Sequence, residues 1–232
     1  MRSQHRQAGF TLIEIMVAVS ILVIISVLLW QTTAVMMQAK GRYEVEDIRF
    51  HEVLMALTRI SDDLTMAFLY QSADHLGATG AGEPQRTIRF LGKDNGDQDE
   101  LHFATLGHLR VMKDSKESEQ AEVGYLLKEA TGDEGQVWNL VKRTQSPPDR
   151  DPEQGGQVYI MLENIQEFKL QYYDEGRKEW RREWDSNSLD SNKRLPKAVE
   201  ITIVIPDPID PDETRSFTTT ALLAMAPGPN DF

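Results

Sequence analysis

Polarity divides the chain into stretches of different rhythm. Residues 1–9 are polar, with Arg2 and Arg6 as their formal charges. From Phe10 to Trp30 the sequence reads FTLIEIMVAVSILVIISVLLW, an apolar run interrupted by small hydroxyl residues and one carboxylate, Glu14. About 20 helical residues are needed to cross ~30 Å of hydrocarbon, and this run just meets that length. Beyond it, Val45, Ile48, Val53, Leu57, Ile60, Leu64 and Phe68 recur mostly three or four residues apart. Arg42, Glu46, Arg49, Glu52, Arg59 and Asp63 fall on other faces, the pattern of an amphipathic helix. No proline precedes Pro84. The pattern predicts one helix from Phe10 to about Tyr70, on the order of 90 Å long. Gly41, which costs a helix interior about 1 kcal/mol, is its expected point of bending.

After this spine the rhythm changes. HLGATGAGEP, from His75 to Pro84, reads as a connecting loop. Its glycines do not form a phosphate cradle, because no Gly-Lys-Ser/Thr ending follows them. From Thr87 onward the apolar positions mostly alternate in short runs: TIRFL, ELHFA, HLRVM, EVGYLLK, QVWNLVKR, QVYIML, EFKLQYY, AVEITIVI and SFTTTALLA. Runs of this length, separated by turn signals, predict antiparallel sheets with one buried face. The fold class expected is α+β, a long N-terminal helix laid across an antiparallel β-sheet head. The connectors TQSPPDRDPEQGG and PDPIDPDE are too rich in proline and acid for regular structure. No internal repeat is apparent.

Composition narrows the function. A chain of 232 residues suits one sizeable domain with an appendage. The net charge of -12 argues against nucleic acid as a partner, since phosphate binding needs clustered Lys and Arg. With no cysteine, disulfides, thiolate catalysis and Cys-based zinc sites are excluded.

The order of the first thirty residues carries more. The positive-inside bias keeps the Arg-bearing tail cytoplasmic and exports the rest. A secretory signal places its small-residue cleavage site after the apolar run; here the small residue, Gly9, comes before it, so cleavage there would leave the helix in the mature chain. AGFTLIE resembles the class III signal of type IV pilins and type II secretion pseudopilins. The resemblance implies that a prepilin peptidase cuts after Gly9 and N-methylates Phe10, leaving Glu14 at the fifth mature position. It also implies a division into a leader (1–9), a transmembrane half-helix (10–30), an amphipathic half-helix (31–70) and a periplasmic head (71–232). The physics agrees. Phe10 and Glu14 stand at i and i+4 on one helical face, and a first-turn anion is favoured by the helix dipole. Between assembled subunits, the Phe10 amine of one would neutralise the Glu14 of the next, removing a burial cost of roughly 2.5–3.5 kcal/mol. The bland alternative is that Glu14 snorkels to the cytoplasmic interface.

Candidate chemistry elsewhere is sparse. His51 and Glu52 open FHEVLM, but the second histidine of a zinc-binding helix would fall at Met55. His102 and His108 have no evident carboxylate partner. Asp94, Asp97, Asp99 and Glu100 surround Asn95-Gly96, yet the spacing is not that of a calcium loop, and Asn-Gly is itself a hairpin signal. Asp207, Asp210, Asp212 and Glu213 are read the same way. No nucleophile elbow or dinucleotide fingerprint is present. No catalytic residue, cofactor or metal is expected. Trp180 and Trp184, in YYDEGRKEWRREWD, either form a partner-binding face rich in Trp, Tyr and Arg or cap the core; composition alone leaves both open.

The segments RISDDLTMAF, LHFATLGHLRV, EWRREWD and LPKAVEITIVI resemble the J class of type II secretion minor pseudopilins. That resemblance implies a non-enzymatic inner-membrane subunit with a periplasmic head. It would join I- and K-class minor pseudopilins at the pseudopilus tip, prime assembly with other pseudopilins, and meet the outer-membrane channel or secreted substrates. The acidic stretches 146–156 and 206–214 match nothing in the class. A minor pilin of a type IV pilus shares the signal and differs in partners. A membrane-tethered periplasmic binding protein or enzyme is the reading from another class.

Overall fold

The computed structural model describes residues 11–69, 89–107, 120–132, 135–146, 148, 153–191 and 193–227. The chain divides into two units, 1–48 and 49–232. One helix, α1, runs Leu12–Thr65. It starts where the Thr11 carbonyl accepts the Glu14 and Ile15 amides at 3.1 and 3.3 Å, and it passes through Gly41 without interruption.

In the first unit the apolar side chains of α1 are exposed. Val45 and Ile48, which open the predicted stripe, are 56% and 62% exposed. In the second unit Val53, Ala56, Leu57, Ile60 and Leu64 are buried on the sheets. The stripe predicts helix through Phe68; the helix instead ends at Thr65, and Ala67–Phe68 forms a short strand, β1, paired with Ala104 and Thr105. The stop is tertiary in origin. The Thr65 carbonyl accepts the Ala224 amide and the Met66 carbonyl accepts the Leu106 amide, so distant segments satisfy the helix end that local capping leaves open.

The remaining strands are β2 (Leu91–Lys93), β3 (Glu100–Thr105), β4 (Ala121–Gly132), β5 (Gly135–Gln145), β6 (Gln157–Ile165), β7 (Glu167–Asp174), β8 (Glu179–Arg181), β9 (Trp184–Asp185), β10 (Ala198–Pro206) and β11 (Thr214–Leu222). Every pairing between them is antiparallel. One sheet has the order β6-β5-β4-β3-β2-β9 with β1 beside β3; the other is β11-β10-β7-β8. Of TIRFL, predicted as a strand, Arg89 and Phe90 precede β2 and Leu91 opens it; Thr87, Ile88, HLRVM and the loop from His75 to Pro84 lie outside the described residues.

Asp99 stitches the two sheets together. It is 3% exposed; its amide donates to the Phe168 carbonyl, and its carboxylate accepts the Leu170 amide at 2.8 Å and the Asn95 amide at 3.0 Å. Burial pushes this carboxyl up, with the two amides acting against the shift.

The same junction contains an orphan. Tyr172 is fully buried, packs edge-on to Phe90, and its hydroxyl has no hydrogen-bond partner among the described residues. It fits because position 92 is glycine: a Cβ there would lie 2.0 Å from the Tyr172 oxygen. Removing an unsatisfied hydroxyl removes a desolvation cost of about 1–3 kcal/mol. Tyr172→Phe is therefore expected to keep or raise the melting temperature, and a fall of several degrees would show that the hydroxyl is bonded.

Candidate assembly surfaces

Two surfaces emerge, one on each unit. On the first, Leu12–Met37 is a helix long and apolar enough to cross a membrane. Side chains from Leu12, 79% exposed, to Ile25, 48% exposed, have nothing packed on them. Its hydroxyl groups are satisfied within the helix: Ser20, Ser26, Thr32 and Thr33 donate to the carbonyls of Met16, Leu22, Leu28 and Leu29 at 2.8–2.9 Å. Such back-bonding lets hydroxyls sit in hydrocarbon, where no water can partner them. Glu14 remains, in the first turn. Gly9 and Phe10 lie outside the described residues.

On the second unit the structure separates the two candidate tryptophans. Trp184 is 2% exposed; its Nε1 donates to the Arg194 carbonyl at 3.0 Å and the Arg181 guanidinium lies 5.3 Å from its ring. It belongs to the core, the second of the two places the sequence left open, and not to the possible partner face: β9 joins β2 at the sheet edge and turns the indole inward. Trp180, 44% exposed, stays on the surface against Tyr173 with ring centroids 5.2 Å apart.

The other predicted positions settle into structural roles. His51 is exposed, and Glu52 pairs with Arg49 at 3.0 Å. His102 is 2% exposed, its Nε2 lies 3.5 Å from Glu100, and burial holds it below the ordinary imidazole range. His108 lies outside the described residues. Around Asn95-Gly96 the chain turns from β2 into β3, with Gly96 at φ 81° and the Asp94 carboxylate accepting its amide at 3.0 Å. Asp207 accepts the amides of Ile209 and Asp210 and the Arg215 guanidinium at 2.5 Å, partners that hold its carboxyl low. Among the described residues no cluster of three or more His, Asp or Glu could hold a metal ion.

A buried ionic cluster escaped the sequence reading. Asp63, placed there on a solvent face, is 2% exposed. Its Oδ2 accepts hydrogen bonds from Tyr125 Oη at 2.5 Å and from Lys142 Nζ, Arg59 lies 3.5 Å from Oδ1, and Thr105 donates to its backbone carbonyl. Burial lowers Lys142, and burial with the Asp63 charge raises Tyr125 well above the ordinary phenol range. The available signal was spacing: Asp63 is three residues after Ile60, on the edge of the apolar stripe.

An apolar helical anchor bearing one first-turn acid, with an antiparallel β-rich head, defines the class: a pilin-like α+β subunit. The family model described as type II secretion system protein J matches residues 31–211, and that for the prokaryotic N-terminal methylation motif matches residues 4–30. The chain belongs to the type II secretion system protein J family, whose members are minor pseudopilins, and its methylation motif with the helix that follows marks it as membrane-anchored. It is similar to type II secretion system protein J of Vibrio cholerae serotype O1, at 26% identity over 88% of this chain and 85% of that protein. The Klebsiella pneumoniae protein of the same name is 26% identical, over 87% of this chain and 90% of that one. In the crystal structure of the GspK-GspI-GspJ complex from the enterotoxigenic Escherichia coli type 2 secretion system, one chain aligns with a TM-score of 0.47 and 16% identity, over 75% of this chain and 97% of that chain.

Proposed function

We propose that this chain is a non-enzymatic minor pseudopilin that joins I- and K-class partners at the tip of a periplasmic pseudopilus and primes its assembly for protein export. The observation that carries this reading is the joining, in one chain, of a methylation motif over residues 4–30 to a protein J match over residues 31–211. Residues 1–9 are then a leader removed by prepilin peptidase, Phe10 becomes the methylated terminus, and the helix from Phe10 to Trp30 anchors the chain in the inner membrane until extraction. The amphipathic half-helix of residues 31–70 and the head from residue 71 onward stay periplasmic. Glu14, buried in lipid, is neutralised by the amine of a neighbouring subunit, which makes burial conditional on assembly.

Mass spectrometry of the chain purified from peptidase-competent cells should give residues 10–232 plus one methyl group, and the same preparation should carry I- and K-class subunits. An intact N-terminus would overturn the processing assignment. Co-purification with a major pilin instead would make the protein a minor pilin of a type IV pilus.

A further inference from the structure

Among the described residues, the edge strand β6 has no strand paired along its outer side. Its far end is covered: Arg49 donates to the Glu163 and Asn164 carbonyls. From Gln157 to Met161 its outer side pairs with nothing among the described residues. Native edges are blunted by lysine, proline, shortness or β-bulges; β6 shifts register against β5 between the Ile160 and Leu162 pairings, and from Gln157 to Ile160 it pairs regularly. The opposite edge, β9, is two residues long, whereas this stretch reads Gln-Val-Tyr-Ile-Met, with Val158, Tyr159 and Ile160 42%, 52% and 58% exposed.

One side of this edge is charged. Tyr159 and Met161 border a cleft of about 560 Å³ that also holds Arg59, Asp63 and Lys142. Among the described residues lining the cleft, two cations face one anion, a local excess of positive charge in a chain whose net charge is -12. Arg59, 47% exposed, stands at its rim.

We propose that β6 accepts an extended segment of a second, different polypeptide as an added strand, whose carboxylate-bearing side chain enters the cleft beside Arg59. Unpaired backbone groups on an edge give affinity to any extended chain, and alternate side chains give the choice among them. In an added strand, residues opposite Tyr159 and Met161 point into the cleft, and those opposite Val158 and Ile160 point to the other face. The cleft charge selects an acid for the first set, and Val158 and Ile160 select apolar groups for the second. A second copy of this chain fits less well, since β6 would offer the cleft a neutral tyrosine and each copy carries the same large negative charge. The inference stands on the second unit alone and does not depend on the function proposed above.

The test uses the full-length chain in detergent micelles and a fluorescent eight-residue peptide alternating threonine and valine, with one central threonine replaced by aspartate. Saturable binding is expected, weakened at least about tenfold when lysine replaces the aspartate or in Arg59→Gln. It should be lost when alternate peptide amides are N-methylated, and lost in Ile160→Glu, whose melting temperature should match the parent because the site is exposed. The proposal is overturned by no binding of the aspartate peptide, by equal binding of the N-methylated or lysine peptide, or by unchanged binding in Ile160→Glu. A dimer of the chain that Ile160→Glu dissociates would overturn it too, making a second copy the occupant.

Discussion

Asp63→Ala should destabilise the head by about 3–5 kcal/mol, because removing one partner of a buried ion pair strands the other. Lys142 has a side chain only 12% exposed and donates to the lost carboxylate, as does Tyr125. The alanine variant therefore leaves a largely buried ammonium and a buried hydroxyl without the carboxylate that accepts from them. Two further variants separate charge from packing. Asp63→Asn keeps an acceptor for Tyr125 while losing the charge, and should fall between alanine and the parent. Adding Lys142→Met to Asp63→Ala removes the stranded cation and should recover part of the loss, since a buried pair replaced by apolar groups of similar size is often neutral. Denaturant midpoints of the full chain in detergent decide the matter. A midpoint for Asp63→Ala equal to the parent's would mean that Lys142 reaches water.

Glu14→Ala should leave insertion intact and lower incorporation into the assembled pseudopilus about tenfold. An acid near the centre of a membrane helix costs roughly 2.5–3.5 kcal/mol on insertion scales, so the alanine chain enters the bilayer more readily. What it loses is the gradient that drives assembly: for the parent, meeting a neighbour's amine relieves a burial penalty, and for the variant there is no penalty to relieve. Losing even half of that term corresponds to roughly a tenfold fall in the assembled fraction. Glu14→Gln, polar but uncharged, should also fail if the interaction is ionic. The fraction co-purifying with partner subunits from membranes is the measurement, and parental incorporation of either variant would assign Glu14 to snorkelling instead.

The two variants mark the limits of what spacing reveals. The role proposed for Glu14 rests on features within a few residues of it: the Gly9-Phe10 junction, the i to i+4 spacing and the uncharged run beyond. The role of Asp63 does not, because its partners Tyr125 and Lys142 are 62 and 79 residues away. The tryptophans differ in the same way. They sit four residues apart in one polar stretch, yet β8 leaves Trp180 at a sheet edge while β9 carries Trp184 into the core.

The sequence by itself determined the membrane-length helix with its acid, the amphipathic continuation into residues 49–65, and the presence of many short strands, because each is a local periodicity of 3.6 or 2 residues. Only the tertiary structure decided that Phe68 leaves the helix for a strand, that two sheets of different order are stitched at Asp99, that Asp63 is buried, and that β6 is the end strand of its sheet among the described residues. Those outcomes depend on which distant backbone groups and charges meet, and hydrogen bonds across 40 to 80 residues leave no period in the chain that makes them.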